Sequence, residues 1–557
     1  MVDIRIDGKS NYFRVNDRYA FDAIMDMDQL TGGKFSEFFR LPKRLLTWGV
    51  TYSPAFRLRN FIRDSIHTSF MSKDFKPWNS LAGAYHAFFN TDWMREYRST
   101  GGAFSGAYHQ RDIIQGTERS IERLKSRLHR RISKWNPVQL SDLWNRIGEA
   151  SENAARVGLY MQLRKKGATT MEAGYTAKDL LDFHRSGKST LLRHLVSTVP
   201  FLNARIQGLY RVGRAAGLGR QMGALAGRAA VNFFFRGALL AGIAGLLHLW
   251  NEDDPRYKKL PDDERYQYWH FFDVPGLGHV RIPVPFEVGM IFGTAPVVFM
   301  QRMKSEIDNA KLWNYLKFSL VDTFRMDFPQ WAKPWIQQMA NKDFFTGAPI
   351  VPEGQKKLEG QLQYGPRTFE ITKEIGKILD SAPIPEEFKS PRRMEKLVQD
   401  YFAWSGYTAM AMANVGLRFF KSYPADPAMD DTLGYVTGFS SFVRPEVQHR
   451  TKYETEFYKM LQEAETAWYS LNTYKRLGDK DVAKQYKEEK IDLLKAYKRL
   501  SPVQKKLAKI RLKENEIDAD SKLSLEEKKG RLDKLALERN DLLQRVMERI
   551  EKKNKKE

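Results

Sequence analysis

A chain of 557 residues with 42% hydrophobic and 13% aromatic content is long enough for several packed units and too apolar to be a disordered tail. It has no cysteine, which excludes disulfide scaffolds, thiol nucleophiles, Cys-ligated zinc and iron–sulfur centres, and suits a protein that meets more than one redox compartment. The net charge of +24 calls for an anionic partner, whether nucleic acid, an anionic membrane face or an acidic protein.

Ile4 and Ile6, then Asp7-Gly8-Lys9, then Tyr12, Phe13 and Val15 predict a β-hairpin over 2–15, followed by a helix from about Asp17. Acidic residues interrupt this N-terminus, so it does not read as a cleaved signal peptide. Ser53-Pro54 marks a helix start, with Ser as the N-cap and Pro in the first turn. On that helix Ala55, Leu58 and Ile62 are expected to face the core, and Arg57, Arg59 and Arg63 to form a solvated basic face. A strongly basic helix is expected over 110–136, with Arg119, Arg123, Arg127 and Arg131 as candidate anion contacts. Further helices are expected at 139–165 and 177–197.

The stretch from Phe183 to Asn251 contains no Asp or Glu. Its first half carries Arg205, Arg211, Arg214 and Arg220, which extend the set of candidate anion contacts to DNA phosphate or anionic lipid. Its second half is apolar and rich in small residues. Ala238 with Gly242 and Ala241 with Gly245 recur at helical spacing, forming a candidate helix-packing or membrane face. The uninterrupted apolar run, Gly237 to Leu247, is shorter than the roughly 20 residues a bilayer span needs. A buried core helix is therefore the expectation, with conditional insertion as the alternative.

Pro275-Gly276-Leu277-Gly278 sits between two aromatic and β-branched runs and predicts a second hairpin. The apolar stretch Phe286–Met300 is expected to pack against the central helix, with Pro296 kinking or ending any helix there. Residues 309–340 read as helical and aromatic, and helices are expected at 367–380 and 391–403. From 446 onward the charges are mixed. Helices are expected near 449–477, 479–499, 501–518 and 524–553, with a new start at Ser501-Pro502 and a capping box at Ser524–Glu527. Leu532, Leu535, Leu542, Val546 and Ile550 predict a narrow seam for a helical hairpin or coiled coil.

Catalytic patterns fail on inspection. Ser186-Gly187-Lys188-Ser189 has Asp182 where a phosphate-binding loop needs Gly, and Gly217-Leu-Gly219 lacks the third Gly of a dinucleotide site. There is no HExxH and no nucleophile elbow, and the paired Asp residues at 253–254 and 262–263 lie in polar turns. The expectation is a non-enzyme without catalytic, cofactor-binding or metal-ligating residues and without a small-molecule substrate.

Five stretches taken together resemble a known family. They are Thr47–Asp64, Val199–Gly208, Asp253–Pro261, Arg281–Gly289 and Asn341–Gly347. In this order they resemble a large polyvalent protein-associated domain of phage and prophage proteins, over most of the chain to about residue 510. The resemblance implies a helical part of a large phage protein, often an internal virion protein carried in the capsid and ejected with the genome. It transfers no catalytic residue.

The sequence thus predicts a mainly α, elongated multi-helix protein with two small β-hairpins and a charged helical tail. Its expected regions are an N-terminal hairpin and helix (1–35), a basic helical region (36–198), a Gly-rich apolar helix with a hairpin (199–305), a helical and aromatic region (306–445) and the tail (446–557). The expected function is that of a structural internal virion protein in genome delivery. It would reside in the virion interior and then the host envelope, with copies of itself, other virion proteins, phage DNA and the bacterial membrane as partners. Two alternatives stand beside it: a DNA-binding packaging or condensing protein, and a scaffold segment of a larger polyvalent phage protein.

Overall fold

The computed structural model describes residues 2–6, 9–13, 34–102, 137–179, 195–216, 224–305, 307–310, 312–313, 315, 328–344, 349–352, 355–420, 434–444, 447 and 451–554. The fold is mainly α, as expected. The N-terminal hairpin pairs β1 (Val2–Ile6) with β2 (Lys9–Phe13) antiparallel, in the register Val2 opposite Phe13. The helices that follow are α1 (Lys34–Thr51), α2 (Pro54–Met71), α3 (Asn79–Phe89), α4 (Asp92–Ser99), α5 (Pro137–Lys165), α6 (Thr170–Asp179), α7 (Leu202–Ala215) and α8 (Ala224–Asn251).

Next come β3 (Tyr268–Val274), β4 (Gly278–Pro283) and α9 (Ala295–Met303), then α10 (Lys333–Met339), α11 (Glu370–Ile378) and α12 (Pro391–Phe420). A short strand, β5 (Val443–Arg444), precedes the tail helices α13 (Lys452–Leu477), α14 (Lys480–Glu489), α15 (Ile491–Ala519) and α16 (Leu525–Asn554). The chain forms two compact units, Met1–Leu246 with Pro283–Ala332, and Leu247–Ile282 with Lys333–Glu557.

In the first unit the core gathers Phe75 from the turn before α3, Met94 and Tyr97 from α4, and Leu159, Tyr160 and Met161 from α5. Small residues set its geometry. A Cβ on Gly83 would lie 1.9 Å from the Ala154 carbonyl oxygen, and one on Gly158 would lie 2.5 Å from that of Asn79. The α3 and α5 backbones therefore touch where ordinary side chains would hold them apart. Ser53 caps α2 as expected, its Oγ accepting from Phe56 N at 3.3 Å with Pro54 in the first turn. Before α9 the backbone widens into a π-helical segment, Gly289–Thr294. Pro296 lacks the N–H that the Phe292 carbonyl would accept, which favours that local widening.

In the second unit the predicted hairpin is present and gains a strand. β4 pairs antiparallel with β5, placing His279 opposite Arg444, and the sheet order is β3-β4-β5. The predicted end of a helix at 403 appears as a break within α12, where Ala403 takes φ 48°. The tail is a bundle of α13, α15 and α16 around Tyr453, Phe457, Leu461, Leu500, Leu507, Leu543 and Met547. Each fully buried large side chain there contributes roughly 1.5–3 kcal/mol.

One expectation for the tail is corrected. Helix α15 runs through Pro502 without a restart, because Leu500 and Leu507 on either side are buried against the bundle and hold the turn. The predicted α16 seam forms in part: Leu542, Val546 and Ile550 pack half-buried against the bundle, and Ala536, Leu543 and Met547 beside them are fully buried because two helices cover that side. The Ser524 capping box forms, with Glu527 N donating to Ser524 Oγ at 3.3 Å and Ser524 N to Glu527 Oε2 at 2.9 Å.

Candidate apolar helix faces and a buried charge network

Helix α8 begins in the first unit, and its last five residues belong to the second. Phe233, Gly237, Leu240 and Ala244 turn inward, at spacings of four, three and four. Phe233 meets Phe70 edge-on at 5.2 Å and Phe292 at 5.4 Å. A Cβ on Gly237 would lie 2.4 Å from the Phe292 ring, and one on Gly245 3.3 Å from Met300 Sδ. The stretch 286–300 thus packs on α8 as expected. Arg236 anchors the same face, donating to the Ser69 and Phe70 carbonyls at 3.0 and 2.9 Å. These are carbonyls of the last turn of α2, which have no partner within their own helix.

The opposite face of α8 is apolar and open. Val231, Phe234, Phe235, Leu239, Ile243, Leu246 and Trp250 are all exposed, Trp250 to 86%. The segment Ala230–Asn251 has 22 residues and a mean hydropathy of 1.7, and 28% of its most apolar 18-residue stretch is buried. At 1.5 Å per residue the whole segment is about 33 Å long, enough to cross a hydrocarbon core. The expectation of a buried core helix is therefore corrected. Arg236, which shortened the apparent apolar run in the sequence, folds back onto α2 and leaves the outer face continuous.

The four small residues divide between the two sides. Ala238 and Gly242 point outward, with open space beyond Gly242, Ala241 is half-buried, and Gly245 faces Met300. A second exposed row lies on α3 and its N-cap, where Trp78, Leu81, Tyr85 and Phe89 are each more than half exposed. Their spacing of three, four and four puts them on one face. Lys76 stands 5.2 Å from the Trp78 ring.

The candidate anion contacts are scattered. Arg119, Arg123, Arg127, Arg131 and Arg220 lie outside the described residues. Arg205 is exposed, Arg214 is ion-paired to Asp179, and Arg211 is 4% exposed. Arg211 belongs to a network that the sequence did not announce. Asp64 and His67 from α2, Arg156 from α5 and Arg211 are all buried. Arg57 is buried as well, donating to the Thr51 and Trp144 carbonyls with its guanidinium 4.4 Å over the Trp144 ring. The solvated basic face expected for α2 is corrected here: Arg57 is inside and Leu58 outside, because α5 offers the Trp144 carbonyl and ring and the Glu152 carboxyl to that side.

Burial dominates the acid–base behaviour of this network. It pushes the Asp64 carboxyl up to about 7 against the opposing pull of Arg156, Arg63 and Arg211. Burial likewise raises Glu152 to about 7, with Arg156 and Arg57 opposing, and holds His67 down at about 3. Glu287, seated against Gly208, is also raised by burial.

In the second unit His270 Nδ1 and His279 Nε2 are 2.9 Å apart on paired strands, and His270 Nε2 is 3.1 Å from the Glu264 carbonyl oxygen. Burial lowers the two imidazoles to about 3 and about 4. The Glu264 carboxylate bridges Arg281, at 3.3 Å, and Arg444, tying β5 to the hairpin. Among the described residues no group of three or more His, Asp or Glu is placed to hold a metal ion.

These features define a mainly helical protein that carries exposed apolar helix faces and a buried charge network in its first unit. Residues 254–433, roughly a third of the chain, match the family model for large polyvalent protein associated domain 38. That segment is similar to the domain of this family, consistent with the phage large polyvalent proteins that the five stretches resemble. Three of the five stretches that carry the resemblance lie at or within the match, and Thr47–Asp64 and Val199–Gly208 precede it. No curated protein and no solved structure matches the chain.

Proposed function

We propose that this chain is a structural virion protein, carried inside a phage particle and acting in genome delivery by placing apolar helices against the host envelope, without catalysis. The observation that carries the reading is the outer face of α8, apolar along a bilayer's thickness and exposed among the described residues. The row on α3 adds Trp and Tyr, the residues that settle at a lipid–water interface, with Lys76 beside them. Copies of the same chain and other virion proteins are the proposed protein partners, with small outward residues such as Gly242 permitting close helix contact.

Envelope lipid is favoured over packaging of duplex DNA by the employment of the central cations. Arg211 is interior, Arg214 is paired and Arg236 serves backbone carbonyls, so these three add little to an outward phosphate-binding surface. The test is flotation of the purified protein with anionic and neutral liposomes, followed by protease digestion. Salt-resistant association with residues 230–251 protected is the expected result. Binding that salt abolishes, with that segment still cleaved, removes the reading.

A further inference from the structure

The second unit contains a groove of about 780 Å³ that the lipid-facing helices do not touch. Its floor is the outward side of α13, and its far wall is formed by Lys342, Pro349 and Lys356. We infer that this groove is a binding site for a short segment of single-stranded nucleic acid. The inference goes beyond the envelope reading by giving the second unit a nucleic-acid contact, and its chemistry is independent of the membrane faces.

The floor departs from the composition around it. The tail carries mixed charges throughout, and α13 itself includes Glu454, Glu456 and Glu463. Along the groove α13 presents mainly hydroxyl, amide and aromatic side chains, among them Thr455, Gln462, Thr466 and Tyr469, with Lys459 and Glu465 as the charged residues of that helix in the lining. Three lysines line the groove and Glu465 is the single carboxylate among the lining residues, so the local balance attracts an anion. Hydroxyl and amide groups between the lysines suit phosphate and sugar oxygens.

Tyr469, 62% exposed, presents a ring on which an unpaired base can stack. A duplex hides its base faces, and an acidic peptide need offer no flat ring. A single strand supplies both the charge and the ring, which is why it fits best.

The walls are held before any ligand arrives. The Asn341 side chain brackets Val351, donating Nδ2–H to its carbonyl at 2.8 Å and accepting its N–H at 2.9 Å. Lys342 N is bonded to the Gln337 carbonyl at 3.0 Å. On the floor, the Tyr458 hydroxyl accepts from Arg511 at 2.8 Å, and Tyr474 rests against Tyr486 with ring centres 5.3 Å apart.

The experiment is fluorescence anisotropy of labelled oligothymidylate with the full chain at about 50 and about 200 mM salt. The wild type is expected to bind, more weakly at the higher salt. Lys342→Glu combined with Lys459→Glu is expected to weaken binding about tenfold or more, and Tyr469→Ala about fivefold or more, while Lys484→Glu on exposed α14 surface changes it less than about twofold. All four positions lie at the surface or its margin, and a thermal melt checks that each variant folds. A Tyr469→Trp protein is expected to change its emission when oligothymidylate is added, which reports from the groove itself.

No binding by the wild type, equal losses in the groove and control variants, unchanged emission from the Tyr469→Trp protein, or displacement of the probe equally well by duplex DNA or polyglutamate overturns the inference. Liposome flotation is expected to be unaffected by the groove variants, so failure here and failure of the membrane reading are separable.

Discussion

Glu152 illustrates how a single buried carboxyl makes the fold sensitive to pH. In the unfolded chain it ionises near its ordinary value of 4.5, whereas burial holds it protonated up to about 7 in the folded state. The folded chain therefore keeps a proton that the unfolded chain has lost. The group's stabilising contribution is full below about 4.5 and disappears as pH rises through about 7. His67 runs the other way: pushed from 6.5 to about 3, its contribution is present above 6.5 and is lost as pH falls toward 3. Glu152→Gln removes one titration and leaves the shape. The variant is expected to be destabilised relative to wild type by about 1 kcal/mol more at pH 6 than at pH 8. Urea melts at both pH values measure this, and an equal gap would contradict the assignment. None of it was legible locally. Asp64 and Arg57 look like ordinary surface residues of an amphipathic helix, and only Arg156 and Glu152, some 90 residues away in sequence, give them a reason to turn inward.

At the scale of elements, short-range chemistry was readable and close approach was not. Ser53-Pro54 and Ser524–Glu527 announced their helices because a cap is satisfied within four residues. Gly83 and Gly158 gave no such notice: each is a lone small residue, and their meaning lies in the helix opposite. The glycines that did stand out by spacing, around 238–245, proved to point both ways.

A pair of substitutions separates these cases. Gly83→Ala places a methyl group against the Ala154 carbonyl and is expected to destabilise the first unit by about 1–3 kcal/mol. Gly242→Leu extends into open space and is expected to leave the unfolding transition within about 0.5 kcal/mol of wild type while altering oligomer size or membrane association. Denaturant melts and sizing of both proteins decide the matter. Unfolding of Gly242→Leu at lower denaturant than Gly83→Ala would reverse the assignment of inner and outer faces on α8.

For the whole molecule, composition pointed to an anionic partner through the charge of +24, but it could not distinguish cations that face solvent from those that serve the interior. Arg57, Arg211, Arg214 and Arg236 are four that serve it. The remaining charge still creates a long-range attraction to anionic surfaces, and salt screens that attraction over about 10 Å at 0.1 M. The apolar faces of α8 and α3 act only at contact and are not screened.

The two contributions differ in their salt dependence, so flotation on anionic liposomes is expected to fall with added salt and then level off at the value seen with neutral liposomes. Replacing Leu239 and Ile243 with Glu should abolish the plateau and spare the salt-sensitive part, since both side chains are exposed and their loss leaves the inner face of α8 intact. Trp78→Glu with Tyr85→Glu should lower the plateau without removing it, because an interfacial row strengthens attachment but does not span. A wild-type curve that falls to zero would mean that charge alone brings this protein to membranes. A plateau that survives both pairs of substitutions would place the lipid contact on a surface other than α8 and α3.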